Sequence, residues 1–298
     1  QHYGDLLHCL AYDPALFERS VALLVKLATA EGVNAPSHSV HVLTSLFHLY
    51  LSGTRATLEQ RLATLDSLIS APDEKYRALG IMGLKSFLEA LHFHPVGSFD
   101  FGARSRDFGY WPRTPDEVHH WFTAGLQLVE TVACRDTHVA PYARAALAEK
   151  FRGLWLRSGC REELERVCIA IRQHKFWPEG WISVRQTMDL DGKGLDPECL
   201  AKLAGLETVL RPADLSQRVR AVVFSTRLTG VDDFEDHISE DIHTRMAMTD
   251  ALARDLGKAV VTQPGVLAEL LPDVVSSPGR LWLFGEGLIA AAPDAREL

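Results

Sequence analysis

A chain of 298 residues with 47% hydrophobic and 23% charged side chains has the composition of a well-cored soluble protein, one large or two ordinary domains in size. Its net charge of −8 argues against a general nucleic-acid binder, and no apolar run reaches the roughly 20 residues of a membrane span. The cysteines (Cys9, Cys134, Cys160, Cys168 and Cys199) are widely spread and form no C-x-x-C, which excludes a disulfide framework or zinc ribbon and suggests reduced thiols in a cytoplasmic protein.

The first residues, "QHYGDLLHCL", carry no starting Met, basic stretch or apolar core of a signal peptide. The expectation is therefore a piece of a longer protein. Helical punctuation begins at once. "DPALFERSVALLVKLATAEG" offers Asp13 as N-cap, Pro14 at the first helical position and Gly32 as a stop. Its Phe17, Val21, Leu24 and Leu27 share one face. "TLEQRLATLDSLIS" opens with a Thr57/Gln60 capping box and carries a stripe of Leu58, Leu62, Leu65 and Ile69.

The pattern then breaks. A helical run ends near Leu91 and the next opens at Thr114, with Pro115 first and Glu117 in third position. Between them, residues 92–113 hold His92, His94, Pro95 and a concentration of aromatic and arginine side chains: Phe99, Phe101, Phe108, Tyr110 and Trp111 with Arg104, Arg106 and Arg113. Aromatic and arginine residues dominate interface hot spots, because they combine large contact area with fixed polar donors. Arg104, Arg106, Tyr110, Trp111 and Arg113 are therefore the expected partner-binding residues. His92 and His94 share a face only on an extended strand, and here they follow a helix and precede a proline. His119 and His120, adjacent on the next helix, point about 100° apart, so at most one of them joins a site. No third ligand has metal-site spacing, and the expectation is no metal.

Helix starts recur near Pro14, Thr57, Pro115, Arg161, Pro197 and Ser239, at intervals of about 43, 58, 46, 36 and 42 residues, close to the roughly 40–47 of HEAT and armadillo helix pairs. An insertion at 92–113 accounts for the long interval. The expected fold is all-α: antiparallel helix pairs stacked as a HEAT/armadillo-like solenoid, with two pairs in residues 1–91, the inserted loop at 92–113, and further pairs over 114–298. "AVVFS", "KAVV" and "LWLF" are short apolar runs that periodicity alone does not assign.

Two stretches resemble functional motifs and fail on chemistry. "DLDGKGLDPECL" (Asp189 to Leu200) has Asp189, Asp191 and Gly194 at calcium-loop positions, but Lys193 stands where a ligand belongs and Leu200 replaces the bidentate Glu. It reads instead as a turn capped by Asp196. Gly285, Gly287 and Ala290 match G-x-G-x-x-A without the strand before or the acidic residue after, so the glycines are expected to permit close helix packing. No P-loop, G-x-S-x-G or H-E-x-x-H occurs, and the chain is expected to be non-catalytic and to hold no cofactor. Charge is uneven, however. Residues 141–185 are net basic between acidic flanks, so Arg144, Lys150, Arg152, Arg157 and Arg161 form the alternative, nucleic-acid footprint.

Several stretches together carry a family resemblance: "ALFERSVALLVKLA", "NAPSHSVHVLTSLFHLYLSGTRATLEQRLATLDSLI", "HFHPVGSFDFGARSRDFGYW", "LRPADLSQRVRAVVFS" and "LWLFGEGLIAAA". In this order they are similar to the helical-repeat region of large bacterial STAND-type ATPases linked to antiphage defence. The resemblance implies a sensor scaffold that binds protein, either a trigger or other domains of its own chain, and holds an autoinhibited state while an upstream P-loop module binds ATP. Since the P-loop is not in this sequence, no nucleotide-binding residue carries over.

Overall fold

The computed structural model describes residues 2–32, 37–94, 106–225, 242–276 and 279–292. The fold is all-α, and among the described residues there is no β-strand beyond an isolated bridge between Thr54 and Gly109. The chain divides into two compact units, 1–170 and 171–298.

The first unit contains α1 (His2–Leu10), α2 (Pro14–Glu31), α3 (His38–Ser45), α4 (Leu58–Ile69), α5 (Glu74–Phe87), α6 (Pro115–Ala133), α7 (Ala140–Arg157) and the start of α8 (Arg161–His174). Its helix starts are chemically specified. Asp13, Thr57 and Thr114 accept from the backbone amides of Ala15, Gln60 and Glu117, and Gln60 returns the bond to Thr57 to complete a capping box. Helix α4 packs on α5, and α6 on α7; connections of a few residues make each pair run back along itself. Phe17, Leu24, Leu65, Phe122 and Leu126 are buried, as their helical spacing predicts.

Leu62 departs from that pattern. It is only half-buried, and its neighbour Arg61 is buried as completely as Leu65. The reason lies in the segment before α4: its carbonyls turn inward and need a donor, which leucine cannot provide.

The second unit contains the rest of α8, then α9 (Pro178–Asp191), α10 (Pro197–Leu210), α11 (Leu215–Val222), α12 (Ile242–Val261), α13 (Pro264–Ser276) and α14 (Leu281–Ala291). The Asp189–Leu200 stretch is the end of α9, a 3-10 turn at Gly192–Gly194 and the Asp196 cap of α10, whose carboxylate accepts from Cys199 N at 2.8 Å. Buried Glu207 accepts from Trp181 Nε1 at 2.8 Å and pairs with Arg211 at 2.8 Å, so its charge is compensated inside the packing. Helix α14 lies against α12, and Gly287 is where their backbones meet: a Cβ there would stand 2.0 Å from the Arg254 carbonyl oxygen. Close packing is thus the role of Gly287, while Gly285 faces open space. The three unassigned apolar runs fall at the end of α11, the end of α12 and the start of α14. Five expected helix starts match α2, α4, α6, α8 and α10 to within a residue; Ser239 lies outside the described residues. No described helix is long and apolar enough to cross a membrane.

Candidate functional site

Arg61 organises the most elaborate polar site of the first unit. Its Nε donates to the Ala56 carbonyl at 3.2 Å, one terminal nitrogen to His48 O at 2.7 Å, and the other to Ser52 Oγ at 3.3 Å and Thr54 O at 3.2 Å. The guanidinium also lies over the rings of Trp121, 5.0 Å away, and Tyr110, 5.7 Å away. Full burial pushes Arg61 down to about 9, still cationic at neutral pH. A buried cation without a carboxylate is costly unless its donors are used. Here they fasten the segment 48–56, which has no regular structure to satisfy its carbonyls.

That segment is the seat for the described end of the loop. Gly53 N donates to Phe108 O at 3.0 Å and Tyr110 N to Thr54 O at 2.7 Å, forming the Thr54–Gly109 bridge. Gly109 has φ +89, and a Cβ would stand 2.4 Å from Thr54 O, so both conformation and space require glycine. Asp107 accepts from Tyr12 OH at 2.8 Å, from Gly109 N at 3.0 Å and from Arg55. The Arg55 bond, aided by the Tyr12 and Gly109 donors, holds the Asp107 carboxyl below its ordinary value against a partial burial cost.

The expected partner-binding residues separate into two groups. Arg106 donates to Cys9 O at 2.5 Å and lies over the Tyr12 ring at 4.5 Å; Tyr110 stacks on Trp121 at 5.8 Å. Both are built into the packing. Trp111 is 56% exposed, Phe108 is 49% exposed, and Arg113 is exposed. Arg104 falls outside the described residues, as do Phe99 and Phe101.

Trp111 ends a row of rings that sequence reasoning did not join. It meets Tyr50 edge-on at 4.8 Å, Tyr50 meets Phe93 at 5.0 Å, and Phe93 meets His48 at 6.0 Å. Three chain segments supply this ledge; Trp111 and the His-Phe-His triplet stood out in the sequence, and the segment of His48 and Tyr50 did not. Beneath it, Glu89 accepts from Lys150 Nζ at 2.8 Å and from the amides of Leu91 and His92. Burial opposes its charge, but these donors hold its carboxyl down to about 2. Burial, with Lys150, His41 and Arg61 nearby, pushes His48 down to about 4 against the pull of Glu89, so the ring is neutral at pH 7. His92 and His94 flank Phe93 on exposed positions.

The alternative basic footprint is largely engaged within the protein. Arg144 is buried and donates to Ala133 O at 2.8 Å, where it caps α6. Lys150 pairs with Glu89, and Arg161 donates to Trp155 O at 2.9 Å. Arg166 grips both oxygens of Glu130 at 2.9 and 2.7 Å. Arg152 and Arg157 are exposed.

One group of potential metal ligands forms among the described residues: His119, Cys160 and Glu163, whose donor atoms all lie within 4.8 Å of one another. His119 stands in the second turn of α6, Cys160 caps α8 and Glu163 is three residues into α8. Burial pushes the Cys160 thiol up from its ordinary value. Compared with known proteins, the chain matches no family model, no curated protein and no solved structure.

Proposed function

We propose that this chain is a non-catalytic helical-repeat scaffold, HEAT-like in arrangement, that recognises protein for a larger cytoplasmic STAND-type bacterial ATPase. The partner is a trigger protein or another domain of the same chain, and the aromatic ledge is the contact. The observation that carries this reading is Trp111: a large apolar side chain left 56% exposed at the end of a rigidly seated segment. Ordering such a segment in advance lowers the entropic cost of binding, and exposed tryptophan, tyrosine and arginine are the residue types that anchor interfaces. The expected repeat period and the STAND resemblance supply the larger context.

The nucleic-acid reading is weaker, because Arg144, Lys150 and Arg161 already serve carbonyls and carboxylates of the protein. A gel shift with duplex and single-stranded nucleic acid separates the two. Binding that weakens steeply with salt, and that Arg152→Ala with Arg157→Ala abolishes, would favour the alternative. The direct test uses the full-length protein with Phe108→Ala and Trp111→Ala. Loss of an autoinhibitory contact raises basal ATP turnover, and loss of trigger recognition lowers triggered turnover. Unchanged turnover in both conditions, with the fold intact, removes the ledge as the contact.

A further inference from the structure

The His119–Cys160–Glu163 cluster shares no residue with the ledge, and its chemistry is different. Cys160 Sγ is buried and donates to His119 O at 3.2 Å, with Thr123 Oγ1 at 3.5 Å. Thr123 is one turn beyond His119 on the same face of α6, so that face closes over the sulfur. Cys160 N donates to Ser158 Oγ at 3.0 Å, and Leu164 N to Cys160 O at 2.9 Å, which fixes the cysteine at the start of α8. Glu163 lies in the first turn of α8, and its carboxylate is within 4.8 Å of the Cys160 sulfur. Glu163 Oε1 stands 3.2 Å from His119 Nε2.

We propose that His119, Cys160 and Glu163 form a binding site for a zinc-like divalent metal ion, with solvent at the fourth position. The donor set is the first reason: thiolate, imidazole and carboxylate are the ligands that zinc takes together. Geometry is the second. Tetrahedral zinc with bonds of about 2.0–2.3 Å separates its ligand atoms by roughly 3.3–3.6 Å. The imidazole–carboxylate separation of 3.2 Å is close to that spacing, and the sulfur, within 4.8 Å of both, has to move inward by no more than roughly 1.5 Å to reach it. Access is the third. The sulfur is at the base, while the His119 and Glu163 side chains are 45% and 28% exposed and leave an open side for the ion and its water. On binding, the thiol proton passes to solvent and the sulfur ligates as thiolate; His119 binds through Nε2.

The bland reading is a surface ion pair between α6 and α8 above an inert thiol. Isothermal titration of the tag-free, metal-stripped chain with zinc separates the two. The proposal expects one ion per chain at sub-micromolar affinity, weakened at least about 100-fold by His119→Ala or Cys160→Ser, since even supporting groups around a metal contribute about 10–100-fold. Cys134→Ser, outside the cluster, should bind as the parent does. Cobalt in place of zinc should give thiolate-to-metal charge-transfer absorption that Cys160→Ser removes. Because His119 is partly exposed, His119→Ala keeps the fold and carries the test even where Cys160→Ser destabilises the protein. No zinc uptake by the parent, or uptake that survives His119→Ala, overturns the proposal.

Discussion

Arg61 shows how one residue serves a site without belonging to its surface. Its donors hold the carbonyls of His48, Thr54 and Ala56, and its flat cation supports the Tyr110 and Trp121 rings. Arg61→Met keeps the volume and removes the guanidinium donors from the His48, Thr54 and Ala56 carbonyls, of which Thr54 O retains its Tyr110 bond. It should destabilise the fold by about 2–5 kcal/mol, since each buried acceptor left without a donor costs about 1–3 kcal/mol, and urea unfolding measures it. Trp111→Ala loses one ring pair and mostly exposed area, so its cost should be ~1 kcal/mol or less in the same experiment. The contrast is useful because the two residues lie within one constellation: stability belongs to Arg61, exposed contact area to Trp111. Sequence periodicity could not have found Arg61. In the stripe Leu58, Leu62, Leu65, Ile69 an arginine reads as solvent-facing, and only the folded carbonyls of 48–56 reveal its use.

At the level of elements, the sequence was most legible where local chemistry decides. Asp13, Thr57, Thr114 and Asp196 each cap the helix that their spacing announced. Thr114→Ala should cost about 1 kcal/mol and shift the urea midpoint without changing its slope. What stayed hidden required two elements to meet. The ledge needs Tyr50, Phe93 and Trp111 from three segments, and the ligand cluster needs α6 to bring His119 to Cys160. The adjacent pair His119 and His120 hinted that one of them could join a site, but nothing in the spacing named a cysteine 41 residues away as its companion. Gly109 sits at a junction of the same kind. Gly109→Ala forces a positive φ on alanine and a clash with the Thr54 backbone, so the bridge should open. Amide exchange at Gly53 and Tyr110, whose protons the bridge engages, should then accelerate while the amides inside α2 stay protected.

Over the whole molecule, acid is the condition to which this fold should respond first. His48 is held at about 4 when folded and relaxes to its ordinary 6.5 when unfolded. Between those values the unfolded chain takes up a proton that the folded chain refuses, so stability falls as pH drops through 6.5 and this contribution levels off below 4. A difference of that size corresponds to roughly 3 kcal/mol. Glu89 acts in the next window: folded at about 2 and ordinarily 4.5, it stabilises above 4.5 and loses that contribution as pH falls towards 2. His48→Phe should flatten the upper window only, which urea titrations at a series of pH values will resolve. The measurement closest to the proposed role is ATP turnover of the full-length protein carrying Phe108→Ala and Trp111→Ala, read beside its Tm. Recognition through the ledge requires basal or triggered turnover to change severalfold while Tm shifts by only a few degrees. Turnover identical to the parent in both states, at the same Tm, would contradict it.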